Sequence, residues 1–176
     1  MDRHRRPDDV ANLAESLVGL KCSHVSCGGA AGSTIQLHLG EVVGRLIPAK
    51  EPRITGDILR YEGGVVVWCA WRLDSSSEPL TSWDDSDESI EGKLTKLIGT
   101  VIESVELVPP AWDANIRFSG DRVLRIFSDH VPGDPSFSGN WDLRVGDFIC
   151  AFGPGARYSI EETRMEIAPV GESSTV

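Results

Sequence analysis

Residues 97–127 read LIGTVIESVELVPPAWDANIRFSGDRVLRIF, and this stretch decides the fold because the chain contains a second version of it. A shift of 80 positions, without a gap, places the first half of the chain on this stretch. The matched pairs are Leu17 with Leu97, Val18 with Ile98, Gly19 with Gly99, Val25 with Val105, Gly40 with Gly120, Glu41 with Asp121, Val43 with Val123, Arg45 with Arg125, Leu46 with Ile126 and Ile47 with Phe127. At a shorter spacing, Trp71 and Leu73 match Trp141 and Leu143. Such repetition indicates two units of one design.

Each half begins with a predicted amphipathic helix. In the first, Val10, Leu13, Ala14 and Leu17 recur with helical periodicity after a cap at Asp8 or Asp9. In the second, a cap at Ser86 or Asp87 precedes four inward positions, which are Ile90, Leu94, Leu97 and Ile98. Both helices are expected to cover a sheet with their apolar face.

A strand and a hairpin are predicted to follow each helix. In the first half, Ile35, Leu37 and Leu39 alternate with polar residues, the next two residues form a turn, and residues 42–47 return. In the second half, residues 115–118 and 123–127 flank a turn at 119–121. The first half is also predicted to contain a second hairpin, in which residues 57–61 and 65–73 flank a turn at 62–64, and a short strand at 80–83. Residues 65–71 of that hairpin are predicted to form a central strand. The second half is predicted to continue with strands at 141–143 and 148–152, a turn at 153–155 and a last strand within 157–168.

These elements predict an α+β fold of two duplicated units, each one helix plus a mainly antiparallel sheet, packed as one pseudo-twofold domain. A chain of 176 residues is long enough to bury the core of such a domain. The units are predicted at residues 9–84 and 85–168, between a mobile N-terminus (1–8) and a frayed C-terminus (169–176).

The charge balance narrows the classes of partner. Acidic residues outnumber basic ones by 27 to 17, and the net charge is −10. Such a surface repels nucleic acid and anionic membranes and favours a basic partner, although an acidic field also serves solubility alone. The basic start lacks an apolar segment, and no apolar run reaches the roughly 18 residues of a membrane span. A cytoplasmic protein with four reduced cysteines is therefore expected.

One segment has the spacing of metal ligands. Cys22, His24 and Cys27 offer soft ligands, and Cys69 or Cys150 would complete a tetrahedral zinc site. The segment is predicted to be a strand in which Cys22 and His24 share a face and Cys27 points away. Because the second half has Ile102 in place of Cys22, core packing is favoured over metal binding. We expect no metal and no cofactor.

No catalytic motif is present. Acid, imidazole and hydroxyl groups gather in one loop, at Asp129, His130, Asp134, Ser136 and Ser138. The loop lacks a nucleophile elbow and an HExxH spacing, and its proline and glycine content favours turns. Gly153-Pro154-Gly155 is also predicted to be a turn, because the proline removes a phosphate-binding amide. The chain is predicted not to be an enzyme.

The predicted partner-binding residues lie in the join between the units and in one loop. Seven carboxylates with no Lys or Arg occupy residues 74–91, and Asp84, Asp85, Asp87 and Glu88 are the densest group. They are expected to attract a basic protein, although a solvated acidic face would look the same. Trp112 follows two prolines, where an exposed ring would anchor a partner and a folded-back ring would cover the sheet.

The second half also resembles a known group. Its pattern includes Leu97-x-Gly99, Phe118-Ser-Gly-Asp121, Leu124-Arg-Ile-Phe127, Asn140-Trp-x-Leu143 and Gly153-Pro-Gly155. It is similar to small uncharacterised bacterial proteins, some of which resemble immunity proteins of contact-dependent and polymorphic toxin systems. The likeness covers residues 94–155 and rests on turn and core positions. It implies a non-enzymatic cytosolic binder that blocks a toxin, for which an acidic surface would suit a basic nuclease.

Two functions therefore stand as hypotheses. The first is a protein-binding module of the immunity type. The alternative is an enzyme or small-ligand binder with its site between the two units, which requires titratable groups that converge in a cavity. A structural or regulatory subunit is the third possibility. The oligomeric state does not follow from the sequence.

Overall fold

The computed structural model describes residues 7–27, 33–46, 58–133, 139–162 and 167–168. The predicted N-terminus up to residue 6 and the predicted C-terminus 169–176 lie outside these residues, as do Asp134, Ser136 and Ser138. Within the described chain, twelve strands and two α-helices are formed. They are α1 (Pro7–Glu15), β1 (Cys22–Cys27), β2 (Ile35–Leu46), β3 (Ile58–Val67), β4 (Ala70–Ser75), β5 (Pro79–Ser82), α2 (Asp87–Leu94), β6 (Ile102–Val108), β7 (Asp113–Phe118), β8 (Arg122–Phe127), β9 (Trp141–Val145), β10 (Phe148–Phe152), β11 (Tyr158–Glu162) and β12 (Ile167–Ala168).

Both helices form where the periodicity predicts them. α1 begins at Pro7, ahead of the predicted caps, and proline suits a first helical position because its missing N–H has no partner there. Ser86 caps α2 by accepting the N–H of Ser89 at 3.4 Å. All predicted inward residues are at least partly buried except Ile98, which is 45% exposed, so that prediction is wrong. Among the described residues, no helix has the length and apolar content needed to cross a membrane.

The strands form two antiparallel sheets. The seven-stranded sheet has the order β1-β2-β3-β9-β10-β11, with β12 on β2, and the five-stranded sheet has the order β5-β4-β8-β7-β6. An α+β fold with antiparallel sheets was predicted, and at this level the prediction is confirmed. The buried faces contribute to one hydrophobic core, in which Trp71 and Trp141 are the largest fully buried side chains. Their prediction as core anchors is also confirmed.

The prediction of a hairpin turn at Gly40 is wrong. β2 continues through Gly40 to Leu46 and shifts register against β3 between Leu39 and Val42. Gly40 has a φ of 77°, and the next N–H, of Glu41, donates to a carboxylate oxygen of Glu62 on β3 at 2.9 Å. This bond satisfies the irregular backbone, so the strand bends without reversing. In the second half, the turn predicted around Gly120 is present.

A second predicted turn, at residues 62–64, is also a continuous strand. β3 continues through Gly63 and Gly64, which pair with β2 on one side and β9 on the other. Glycine is needed at 63 because a Cβ there would lie 2.9 Å from Leu17 and from Leu20. As predicted, β3 is central, between β2 and β9. The predicted strand 65–71 is interrupted at Trp68 and Cys69, whose N–H groups both donate to the carbonyl of Asn140.

Each sheet takes strands from both halves of the chain. β4 follows β3 in sequence but pairs with β8, and β9 follows β8 but pairs with β3. Trp71 on β4 therefore lies opposite Ile126, and Trp141 on β9 lies opposite Val67. The two crossings place β4 and β9 at corresponding positions in the two sheets.

The sheets meet where β1 and β6 begin, around an antiparallel bridge between Lys21 and Val101. Four backbone hydrogen bonds surround this bridge and form two equivalent pairs. Within each pair, one bond becomes the other when every residue is replaced by its counterpart 80 positions away in the chain. They are Gly19 N–H to Ile102 O (2.9 Å), Gly99 N–H to Cys22 O (2.8 Å), Ile102 N–H to Leu20 O (3.0 Å) and Cys22 N–H to Thr100 O (2.8 Å). Gly19 and Gly99 have φ angles of 88° and 90°, which glycine adopts readily.

Candidate functional site

The predicted partner-binding carboxylates lie together where β5 joins α2. We call Asp84, Asp85, Asp87 and Glu88 the acidic edge, and all four are exposed. The Asp85 carboxylate accepts from the Thr81 hydroxyl at 2.8 Å and from the Ser82 N–H at 3.1 Å. These two bonds, the hydroxyl first, lower the pKa of Asp85. The two bonds fix the position of the Asp85 carboxylate and favour its charged form.

An exposed aromatic ring accompanies the acidic edge. Trp83 directly precedes Asp84, and 46% of its surface is exposed. Its N–H donates to the carbonyl of Trp71 at 3.1 Å, which fixes its backbone to the neighbouring strand. From the sequence, Trp83 was assigned only to a short strand. No local pattern distinguishes it from the buried Trp71, because burial here depends on the neighbouring sheet.

Asp74 does not belong to the acidic edge, although it is one of the seven carboxylates in the join. Only 10% of its side chain is exposed, and its oxygens accept from Nε of Arg72 and Nε of Arg125, both at 2.7 Å. The pKa of Asp74 is lowered, chiefly by its bond to Arg72 and also by Arg125. Because residues 74–91 contain no Lys or Arg, unneutralised charge was expected at all seven carboxylates. This expectation is wrong for Asp74, which pairs with Arg72 just before the join and with Arg125 from the second half.

Trp112 is folded back onto the sheet, one of the two arrangements left open by the sequence. Its ring packs against Tyr158 and Phe152, with ring centroids 5.1 and 5.8 Å away. Its indole N–H donates to the carbonyl of Ala156 at 3.1 Å. The side chain is half-buried, and its role in partner binding remains a prediction.

The cysteine-histidine segment has a different geometry from the predicted one. A register shift between Cys22 and His24 leaves Cys22 fully buried and His24 exposed, so these two residues do not share a face. The four cysteines are free thiols, and burial raises the pKa of Cys22, Cys69 and Cys150 to about 12. Within the described ranges, no group of three or more His, Cys, Asp or Glu side chains could hold a metal ion.

The described part of the predicted loop site is tied to the scaffold. Asp129 accepts the N–H of Ala70 at 3.3 Å. The N–H of His130 donates to the side-chain oxygen of Asn140 at 3.0 Å, and its Nδ1 lies 3.1 Å from the carbonyl of Gly139. These contacts join the loop to β4 and to the start of β9, which is a structural use of both residues.

A second cluster lies on the seven-stranded sheet and was not predicted. We call His24, His38, Arg60 and Arg144 the basic cluster. His24, His38, Gly64 and Arg144 form a row of register partners across β1, β2, β3 and β9. Adjacent residues Leu37, Val65 and Leu143 are fully buried, so strand alternation places this row on the outer face. The His24 and His38 rings are 5.4 Å apart.

The basic cluster contains buried polar atoms without hydrogen-bond partners. Among the described residues, such atoms occur only here: His38 Nδ1, Arg60 Nε, Arg60 Nη1 and Arg144 Nε. Burial lowers the pKa of His38 to about 4, with help from the charges of His24 and Arg144. Burial and the charge of Arg60 lower the pKa of Arg144. Buried donors without acceptors are costly and rare in folded proteins.

A cavity of about 70 Å³ opens beside the row. It is lined by Gln36, Gly64, Val66, Asp142, Arg144 and Ile149. The pKa of Asp142 is raised to about 6, first by burial and then by the charge of Glu161. The alternative prediction placed a small-ligand site between the two units, and each predicted unit contributes three of the residues that line this cavity.

Compared with protein-family models, curated proteins and solved structures, the chain matches none of them.

Proposed function

We propose that the chain is a non-enzymatic protein-binding module whose acidic edge binds a basic protein. The observation that carries this proposal is the exposed Trp83 ring beside Asp84, Asp85, Asp87 and Glu88. In this proposal the partner is a basic, nuclease-like bacterial toxin, and the chain acts in the cytoplasm as an immunity protein that neutralises it.

The chemistry of the edge supports this assignment. Tryptophan is among the residues that contribute most to binding at protein interfaces, particularly inside a ring of polar contacts that excludes water. The surrounding carboxylates accelerate encounter with a basic surface and disfavour acidic partners. If the join at residues 74–91 served only to link the two units, polar residues would be sufficient, and its serines already provide them.

The test begins with a pull-down from the native host to identify the partner, followed by stopped-flow measurement of association. The edge variant carries Asp84→Asn, Asp85→Asn, Asp87→Asn and Glu88→Gln. A control variant loses the same charge at exposed sites elsewhere, through Glu15→Gln, Glu41→Gln, Glu103→Gln and Glu162→Gln. We expect the edge variant to associate about tenfold more slowly at low salt, and the difference to fade above roughly 0.15 M. Equal rates for the two variants would refute the proposal.

Trp83→Ala provides a separate readout. Loss of a central aromatic anchor typically costs about 2 kcal/mol or more of binding free energy, and most of it appears in the dissociation rate. We expect dissociation to be at least about tenfold faster with little change in association. An unchanged dissociation rate would show that Trp83 lies outside the interface.

Binding of a small ligand is a second candidate function. The specific observation in its favour is the basic cluster, with its unpartnered nitrogen atoms next to a cavity. The next subsection develops it as an independent site.

We further infer that the two halves are duplicated units related by a pseudo-twofold axis at the Lys21–Val101 bridge. Four lines support this inference: the reciprocal hydrogen bonds, the matched glycine φ angles, the corresponding places of Trp71 and Trp141, and a register shift that recurs between Cys22 and His24 and between Ile102 and Ser104. An experimental structure in which residues 17–27 and 97–107 fail to superpose would contradict it.

A further inference from the structure

We propose that the basic cluster and its adjoining cavity bind a small oxyanion, such as a phosphate ion or the carboxylate group of a small acid. This site is separate from the acidic edge, and the proposal does not depend on the function assigned to that edge.

The first argument is the unmet hydrogen-bonding capacity of Arg60. Its side chain is 2% exposed, and only Nη2 has partners, the Gly146 carbonyl and the Asp147 carboxylate. Nε and Nη1 have none. A guanidinium carries five N–H donors, and leaving buried donors without acceptors costs about 1–3 kcal/mol each. An oxyanion supplies several acceptors at once, and it would enter the cluster beside Arg144, the member that lines the cavity.

The second argument is the absence of a counter-charge beside Arg144. Among the described residues, no carboxylate lies within ion-pair distance of Arg144. Burial and the charge of Arg60 lower the pKa of Arg144, and burial with the charges of His24 and Arg144 lowers the pKa of His38. Asp147 pairs with Arg60 and Asp142 lines the cavity, but neither carboxylate is ion-paired with Arg144. Cationic side chains held together in this way favour an anion.

The third argument is space, which Gly64 provides. A Cβ at this position would lie 3.5 Å from Nη2 and 3.9 Å from Nε of Arg144, so the guanidinium lies directly over the glycine. Beside it the cavity also exposes the Gln36 amide, a further donor. A volume of about 70 Å³ admits a few water-sized groups, which fits a single oxyanion.

Binding at this site should depend on pH, with a sign that follows from the surrounding groups. The charged or titratable neighbours are His24, His38, Arg60, Tyr61, Asp142, Arg144, Asp147, Cys150 and Glu161. Asp142 has a pKa of about 6 and is anionic above it, where it repels an oxyanion. Protonation of Asp142 below about pH 6 removes this repulsion, whereas His38, with a pKa of about 4, gains its proton only at lower pH. Affinity should therefore rise as the pH falls from 7 to 5.

The test uses the full chain with sodium phosphate, sodium acetate and sodium chloride at matched ionic strength. The readouts are calorimetry and the NMR titration of the His38 imidazole. We expect phosphate or acetate, but not chloride, to raise the pKa of His38, because an anion beside the ring favours its charged form. The phosphate and acetate arms distinguish the two ligand classes. Failure of both anions to raise the His38 pKa, in a titration that runs from about pH 7 to below its pKa of about 4, would overturn the proposal.

A pair of variants tests the assignment to Arg144. Arg144→Gln removes one charge from the cluster, and Arg117→Gln removes one from an exposed position on the five-stranded sheet. We expect Arg144→Gln to weaken anion binding at pH 5.5 about tenfold or more and Arg117→Gln to leave it unchanged. Equal weakening by both would reveal a general charge effect and refute the site. Should Arg144→Gln fail to fold, the wild-type His38 titration decides the question alone.

Discussion

The outer faces of the two sheets differ in how completely their polar side chains are hydrogen-bonded. On the five-stranded sheet, a continuous chain of bonds runs from Glu106 through Asn115, Arg125 and Asp74 to Arg72. On the seven-stranded sheet, buried nitrogen atoms of the basic cluster have no acceptor. The five-stranded face shows that polar residues on an outer sheet face can be fully bonded, so the lack of acceptors is not a requirement of the fold. A completed network stabilises, whereas an incomplete one leaves a place for a ligand.

The largest loss of stability is expected from substitutions in the hydrophobic core beneath both sheets. Trp71 and Trp141 are fully buried at corresponding strand positions, and their indole N–H groups each donate at 2.8 Å, to the carbonyls of Ser33 and Trp112. Trp71→Ala and Trp141→Ala should each lower the free energy of unfolding by about 3–5 kcal/mol, measured by chemical denaturation. An unchanged transition in either variant would show that its ring is exposed.

The next test breaks the completed network. Asp74→Asn removes the charge that pairs with Arg72 and Arg125. We expect a loss of about 1–2 kcal/mol at pH 7, a modest value because both arginines are partly exposed to solvent.

The pH dependence of stability provides a control for the Asp74 prediction. The pKa of Asp74 is lower in the folded protein than in the unfolded chain. The stability that its charge provides is therefore complete above the pKa of the unfolded chain and is lost as the pH falls through the pKa of the folded protein. The stability difference between wild type and variant should shrink in acid. A difference that stays constant down to pH 2 would contradict the ion-pair explanation.

Asp142 should respond in the opposite direction. Its folded pKa of about 6 exceeds the usual aspartate value near 4, so the folded state binds its proton more tightly than the unfolded state. Stability from this group is present below about pH 4 and is lost as the pH rises through about 6. Asp142→Asn should therefore stabilise the protein at pH 7, by about 1 kcal/mol after solvent screening is discounted. Destabilisation at pH 7 would indicate that the carboxylate has a counter-charge.

The smallest expected effect concerns the thiols. Cys22, Cys69 and Cys150 are buried with pKa values of about 12, whereas Cys27 is only partly buried. Brief alkylation of native protein should label Cys27 first, and unfolded protein should take up four labels, as counted by mass spectrometry. Purified protein should contain no zinc. One equivalent of zinc would contradict the packing role of the cysteines.

The sequence predicted local structure well and long-range pairing poorly. Apolar periodicity located both helices, and the turn at Gly120 followed from local chemistry. The identical-looking Gly40 does not end its strand, because Glu62 accepts the next N–H from across the sheet. The crossing of β4 and β9 between sheets has no local signal. It depends on which edges are available after folding.

The same limit applied to the candidate sites. The acidic edge is contiguous in sequence, so its charge density was visible. The basic cluster draws His24, His38, Arg60 and Arg144 from four separate strands, and each is an ordinary polar residue in its own segment. Alternation indicates only that a strand residue faces outward. It does not indicate that its neighbours there have the same charge.

The crossing of strands between the sheets also sets the order in which the protein can assemble during synthesis. β4 and β5 leave the ribosome before β6, β7 and β8, so all strands of the five-stranded sheet are available once residue 127 has emerged. β3 must wait for β9, because its free edge has no partner in the first half. A nascent chain that stops in between carries an unpaired strand edge, the feature through which chains associate wrongly. β9, in the last third of the chain, therefore protects the free edge of β3 from aggregation.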